Sequence, residues 1–276
     1  MTRNALIIGG LGAAALLLSG CGSDSSSTAS GASTPPITTT PAEGAEGTWR
    51  GNINTPVANS RLMEAFILGD GEFWMAYSTA NDPTQTDALI NAAGILHGTA
   101  SPKADGSFSI GNARHISLED GNRNSVGIAG NYVTGSSLTG TLTQSPALPG
   151  SSLPATAEFA SLYRTAYNNN LTLAHLAGTY TGSLTTNFGK NSSTITFDSV
   201  GVITGSDNSG CTFQGQAATR DRGNVFDIDI TVGSEAGCGA NAGKAMSGVL
   251  SLESSRAGML ALDTEQKLSF IFVGTR

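Results

Sequence analysis

Charge is scarce in this sequence. Asp, Glu, Lys and Arg make up only 13% of 276 residues, which argues against a coiled coil or a polyelectrolyte tail. Basic residues are the scarcer sign: 14 Lys and Arg against 21 Asp and Glu leave a formal charge of −7. With no basic cluster to neutralise phosphates, nucleic acid is not an expected partner. His97, His115 and His175 are the only histidines, and no His-Glu-x-x-His occurs, so a zinc centre is not expected. Gly-x-Ser-x-Gly is missing, and so is Cys-x-x-Cys. The Gly-rich stretches do not sit between a strand and a helix as a phosphate cradle does. In Glu119-Asp120-Gly121-Asn122-Arg123-Asn124 the oxygen ligands include an arginine and lack the calcium-loop spacing. These absences make a non-enzymatic protein without a metal or a dissociable cofactor the expected class.

Glycine is abundant: 36 residues, about twice the usual share of ~7%. An apolar fraction of 39% is too high for a disordered chain. Near the N-terminus, Arg3 precedes an apolar stretch from Ala5 to Leu18, too short for a spanning helix of about 20 residues. That stretch ends in Leu18-Ser19-Gly20-Cys21, which resembles the lipobox of bacterial lipoproteins. The resemblance implies a signal peptide over residues 1–20, cleavage before Cys21, a lipid on its sulfur and acylation of the new amino group. The covalent lipid would be the only non-protein group, and it would make the membrane a partner, since several acyl chains anchor a protein stably. Gly22 in the sorting position points to the outer membrane, with the periplasmic or surface face left open. Ser, Thr, Gly, Ala and Pro dominate residues 22–46, where Ile37 is the sole large apolar residue. So little burial cannot offset ordering entropy, and residues 21–46 read as a lipidated cysteine and a disordered tether, with a full extension of about 85 Å.

From Thr48 onward, short segments alternate apolar and polar residues, with turn signals every eight to twelve residues. Phe226, Ile228, Ile230 and Val232 fall on one face of a strand, with Asp227 and Asp229 on the other as a solvated face. Asp70-Gly71, Asp105-Gly106, Asp120-Gly121 and Arg222-Gly223-Asn224 mark hairpin turns. Proline does not recur after Pro154, as expected of uninterrupted strands. The chain also repeats: Gly47-Thr48-Trp49-Arg50-Gly51 matches Gly178-Thr179-Tyr180-Thr181-Gly182. Two all-β modules are expected, over residues 47–163 and 177–276, with a connector at 164–176. About eight strands in each favour small up-and-down barrels; one β-sandwich per half, or a single large sheet, remain as alternatives.

The Gly-x-Trp opening resembles the first strand of calycin-type barrels such as lipocalins, where the Trp closes one end. Asp70-Gly71-Glu72-Phe73-Trp74, Gly210-Cys211-Thr212-Phe213-Gln214-Gly215 and Phe270-Ile271-Phe272-Val273-Gly274-Thr275 together resemble a group of uncharacterised proteobacterial outer-membrane lipoproteins. That group implies the layout and no chemistry.

Beyond Cys21, only Cys211 and Cys238 remain. In an exported chain they are expected to form a disulfide across a hairpin turning near Asp221–Asn224. Trp49, Trp74 and Tyr77 are candidate binding residues, with core packing as the competing role. An exposed Trp74 would suggest contact with a sugar or a protein. The expected function is that of an envelope or surface binding lipoprotein with a protein or small-ligand partner. An inhibitor or accessory factor of an envelope enzyme or assembly is the alternative.

Overall fold

A computed structural model describes residues 34–54, 60–80, 86–146 and 153–276. The expected signal peptide, Cys21 and the first part of the expected tether lie outside the described residues. Two antiparallel barrels follow one another. The first consists of β1 (Gly47–Asn54), β2 (Arg61–Ile67), β3 (Glu72–Ser78), β4 (Ala92–Thr99), β5 (Ser107–Ser117), β6 (Arg123–Val133), β7 (Ser137–Ser145) and β8 (Thr156–Tyr163). Each strand pairs with the next, and β8 closes on β1 with Phe159 opposite Ile53. The second consists of β9 (Gly178–Thr186), β10 (Gly189–Phe197), β11 (Val202–Asp207), β12 (Thr212–Thr219), β13 (Val225–Val232), β14 (Ala245–Glu253), β15 (Arg256–Asp263) and β16 (Ser269–Thr275). There β16 closes on β9, with Phe272 opposite Leu184. Closure removes the sheet edges, so two barrels form rather than sandwiches or one large sheet.

The repeat has a structural meaning. Gly51 and Gly182 sit where the first strand of each barrel meets its last. A Cβ on Gly51 would lie 2.0 Å from the Ala160 carbonyl oxygen, and one on Gly182 1.9 Å from that of Val273. Two residues earlier stands the large aromatic that fills one end. Trp49 Nε1 donates to the Ala45 carbonyl at 3.1 Å, and the Tyr180 hydroxyl to the Leu176 carbonyl at 2.9 Å; in both the acceptor lies four residues upstream. Tyr163 packs edge-on against Trp49, and the Arg276 guanidinium covers Tyr180. The hairpin signals also hold: Gly71, Gly106, Gly121 and Gly223 all take the left-handed φ that a turn requires of glycine.

Inward side chains fill both barrels, among them Met63, Met75, Phe108 and Phe159 in the first and Phe197, Phe226, Phe270 and Phe272 in the second. A third apolar layer lies between the barrels. Phe66, Trp74, Ala76 and Ile95 leave the outer wall of the first barrel and meet Val225, Val249, Leu260, Leu262, Ile271 and Val273 of the second. Two ionic clusters flank this layer. In one, Glu64, with a side chain 1% exposed, takes Arg50 at 3.2 Å and Arg256 at 2.6 Å, while Arg256 also grips Asp87. In the other, Arg220 of the second barrel reaches Asp70 and Glu72 of the first. Residues 34–276 therefore form one compact unit.

Residues 34–46, expected to belong to a disordered tether, are instead docked as a strap. Thr38 and Thr39 pair with Asn170 and Asn169 of the connector, and the Ala42 amide donates to Asn168 Oδ1. His175 Nδ1 accepts from the Thr172 amide, leaving Nε2 to donate to the Pro35 carbonyl at 2.8 Å. Composition alone misses this docking, since the strap contributes few apolar side chains. The connector contributes an unpaired backbone edge, and backbone hydrogen bonds hold the strap to it. The connector itself carries two short helical turns, Thr165–Asn168 and Leu173–Leu176.

Candidate functional site

Two grooves open where the outer walls of the barrels part. The larger, about 710 Å³, is walled by Glu43 and Glu46 of the strap, the β2–β3 turn around Asp70, Pro102, Tyr167 of the connector, and Thr219, Arg220, Asp221, Arg222 and Asp227 of the second barrel. A neighbouring groove of about 330 Å³ runs past Glu72, Trp74, His97, Asp227, Asp229 and Gln266. Asp227 lines both.

Arg220 divides the two grooves. It stands at the end of β12, at the hairpin that Gly223 turns, and this brings it across to the first barrel. Its guanidinium lies 3.3 Å from Asp70, 2.5 Å from Glu72 and 2.5 Å from Asp227. Burial opposes its charge, but these carboxylates hold it firmly protonated. Burial also works against the Glu72 carboxylate, yet hydrogen bonds from His97, from Trp74 Nε1 at 2.8 Å and from Arg220 keep it below the usual Glu range. One guanidinium cannot serve three carboxylates equally. Asp227 stays above its ordinary value, first through burial and then through Glu72 and Asp70, despite Arg220.

The strap supplies the opposite wall. Glu46 is 6% exposed; the Tyr167 hydroxyl donates to its Oε1 at 2.7 Å, and Arg222 lies 3.3 Å from its Oε2. Burial, and then Glu46, push the Tyr167 phenol far up, so it remains a donor at any physiological pH. The same two causes raise Tyr163 to about 12. Among the described residues lining the larger groove, Glu43, Glu46, Asp70, Asp221 and Asp227 face only Arg220 and Arg222. Five carboxylates against two guanidiniums leave three uncompensated negative charges, and groove walls of low dielectric concentrate their field.

The candidate binding residues lie in two different cores. Trp49 and Tyr77 are fully buried inside the first barrel, where the Tyr77 hydroxyl meets His115 Nε2 at 2.8 Å. Trp74, on the opposite face of the same strand as Tyr77, is 2% exposed between the barrels and stacks on His97 at 4.1 Å. The structure does not bring the three together, and none lies on an open surface. Cys211 and Cys238 form the disulfide across the β12–β13 hairpin, with Cα atoms 4.6 Å apart. Glu235 lies beside the two sulfurs. Their bond to each other leaves no thiolate to bind a metal. Asp227 and Asp229 point outward as expected, but both line the smaller groove and Asp227 lines the larger one too. Sequence reading missed Glu46, Glu72, Arg220 and Arg222. Arg220-Asp221-Arg222, two guanidiniums in one turn of a chain with 14 basic residues, was the available signal.

Fold and grooves define an all-β protein of two tandem eight-stranded antiparallel barrels with an acidic cleft along their junction. No protein-family model and no curated protein matches the chain. Among solved structures, the LG1-3 region of the laminin alpha2 chain aligns with 88% of this chain at 12% identity and a TM-score of 0.16. This chain spans 56% of that structure's length, and so low a score carries no argument about fold or function.

Proposed function

We propose that the protein is a non-enzymatic binding lipoprotein, anchored through Cys21 to the outer membrane, which takes a positively charged partner in the cleft between its barrels. One observation carries the reading: side chains fill most of both barrel interiors, while the larger of the two grooves at the junction is walled by five carboxylates and two arginines. A site of this kind selects by charge and shape rather than by chemistry. Its two guanidiniums are held by Asp70, Asp227, Glu43 and Glu46. The lipobox supports the anchor. With the strap docked from residue 34, about twelve residues separate it from Cys21, so residue 34 stands within about 45 Å of the lipid.

Titration of the mature chain with tetralysine, and with a neutral peptide of equal length, tests the reading. Saturable binding of tetralysine alone, weakened by Asp221→Asn with Glu43→Gln and by added salt, supports it. Equal affinity for both peptides, or an affinity unchanged in the double variant, contradicts it.

A further inference from the structure

One wall of the larger groove is built to come away. The strap joins the first barrel at Ala45, which is fully buried and accepts from Trp49 Nε1. Just before it, Gly44 takes a left-handed φ of 58°, and its carbonyl accepts from the Thr134 hydroxyl at 2.8 Å. These contacts fix the root of the strap, and a glycine there gives it a pivot. Upstream of Gly44 the hold is made by hydrogen bonds with little burial. Thr34 to Thr39 are exposed, Ile37 included. The Thr40 amide donates to the Asn168 carbonyl at 2.8 Å and Asn170 Nδ2 to Thr40 Oγ1 at 2.7 Å. The Thr38–Thr39 pairing, the Ala42 amide and the Pro35 carbonyl complete the set. Each such bond returns little net free energy, and ordering residues 34–43 costs entropy of comparable size. Docked and released straps therefore lie close in energy, as a two-state element requires.

Glu43 rides on this segment. Its carboxylate lies 3.2 Å from Arg222, which Glu46 holds from the other side at 3.3 Å. Release about Gly44 withdraws Glu43 from the groove and leaves Glu46, anchored beyond the pivot and bonded to Tyr167, in place. We propose that strap docking and cation binding in the larger groove are coupled: a basic ligand closes the strap, and release of the strap weakens the site. The coupling rests on the reading of that groove as the site for a positively charged partner. The docked state offers the ligand one carboxylate more than the released state, which is the differential affinity a population shift needs. Linkage makes the effect reciprocal. The chain upstream of Thr34 leads to Cys21, so an occupied cleft holds the barrels on a shorter tether.

The test is amide hydrogen exchange and titration of the full mature chain, with tetralysine as the probe. Saturating tetralysine should slow exchange of the Thr40 and Ala42 amides about threefold, the effect of one exposed charge pair. Thr40→Pro removes the amide that bonds to Asn168 and changes no residue lining the groove. It should weaken tetralysine binding about threefold, and Glu43→Gln should weaken it by as much. The two substitutions together should be no weaker than either alone, since a released strap has already withdrawn Glu43. Unchanged exchange at Thr40 and Ala42 in the bound chain, wild-type affinity in Thr40→Pro, or additive losses in the double variant would each overturn the coupling and leave the cleft reading standing. No saturable binding of tetralysine would refute the cleft reading and the coupling with it.

Discussion

Replacing Trp74 by Ala separates the two roles that residue could play. On an open surface it would be a platform for a ligand, and its loss would cost little stability. In the structure it lies 2% exposed in the apolar layer between the barrels, stacked on His97, with its indole N–H on Glu72. Truncating a buried Trp costs about 3–5 kcal/mol in transfer and cavity terms. Removing the donor from Glu72 adds about 1 kcal/mol. The sum is a large share of a total stability of roughly 5–15 kcal/mol. The variant keeps Trp49 as its sole tryptophan, inside the first barrel. Urea melts followed by far-ultraviolet circular dichroism and by Trp49 emission therefore report on the whole chain and on one barrel. We expect a loss of at least about 3 kcal/mol. We also expect a melt split in two, with Trp49 following only one step. A midpoint within about 0.5 kcal/mol of wild type would place Trp74 at a surface and refute the buried layer.

Other outcomes follow from single contacts. Replacing Cys211 and Cys238 by Ala frees a loop whose ends are 27 residues apart and should cost about 3–4 kcal/mol, read as a lower melting temperature; unchanged melting would mean the bond contributes nothing. Gly182→Ala drives a Cβ to within 1.9 Å of the Val273 carbonyl, so the closing strand pair must part, at a cost of about 3 kcal/mol or more. Gly111→Ala, which meets nothing within 4 Å, should be nearly neutral; equal losses in denaturant melts would refute the close approach. Burial pushes the His115 imidazole below its ordinary value, against the pull of Asn124. The unfolded chain therefore binds the proton first, at about pH 6.5, and stability should fall as the pH drops below that value. His115→Gln should flatten the pH dependence of the melting temperature, and an unchanged slope would assign the effect to another group.

Much of the fold was legible in the sequence, because barrel strands obey local rules. Alternation at Phe226–Val232, Asp-Gly turns and the repeated Gly-Thr-aromatic-x-Gly opening each have one physical meaning, and the strands fall where these signals put them. The layer between the barrels was also written there, in the breaks of alternation. Phe73-Trp74-Met75-Ala76-Tyr77 and Phe270-Ile271-Phe272-Val273 are apolar on both faces, which a strand requires when its outer face is covered too. The cleft was not legible. Glu46 meets Arg222 across 176 residues and Glu72 meets Arg220 across 148, and no local pattern encodes such encounters. The docked strap escaped for a related reason: its hold on Asn169 and Asn170 is made by backbone groups that every residue carries.

The most direct test of the cleft as the binding site is photo-crosslinking in intact cells. Photoreactive residues at Thr219 and Pro102, which line the cleft, are compared with one at Val133, 61% exposed on the first barrel. The account expects adducts at Thr219 and Pro102, to a partner segment rich in Lys or Arg, and none at Val133. Adducts at Val133 alone, or cleft adducts to an acidic or uncharged segment, would contradict it.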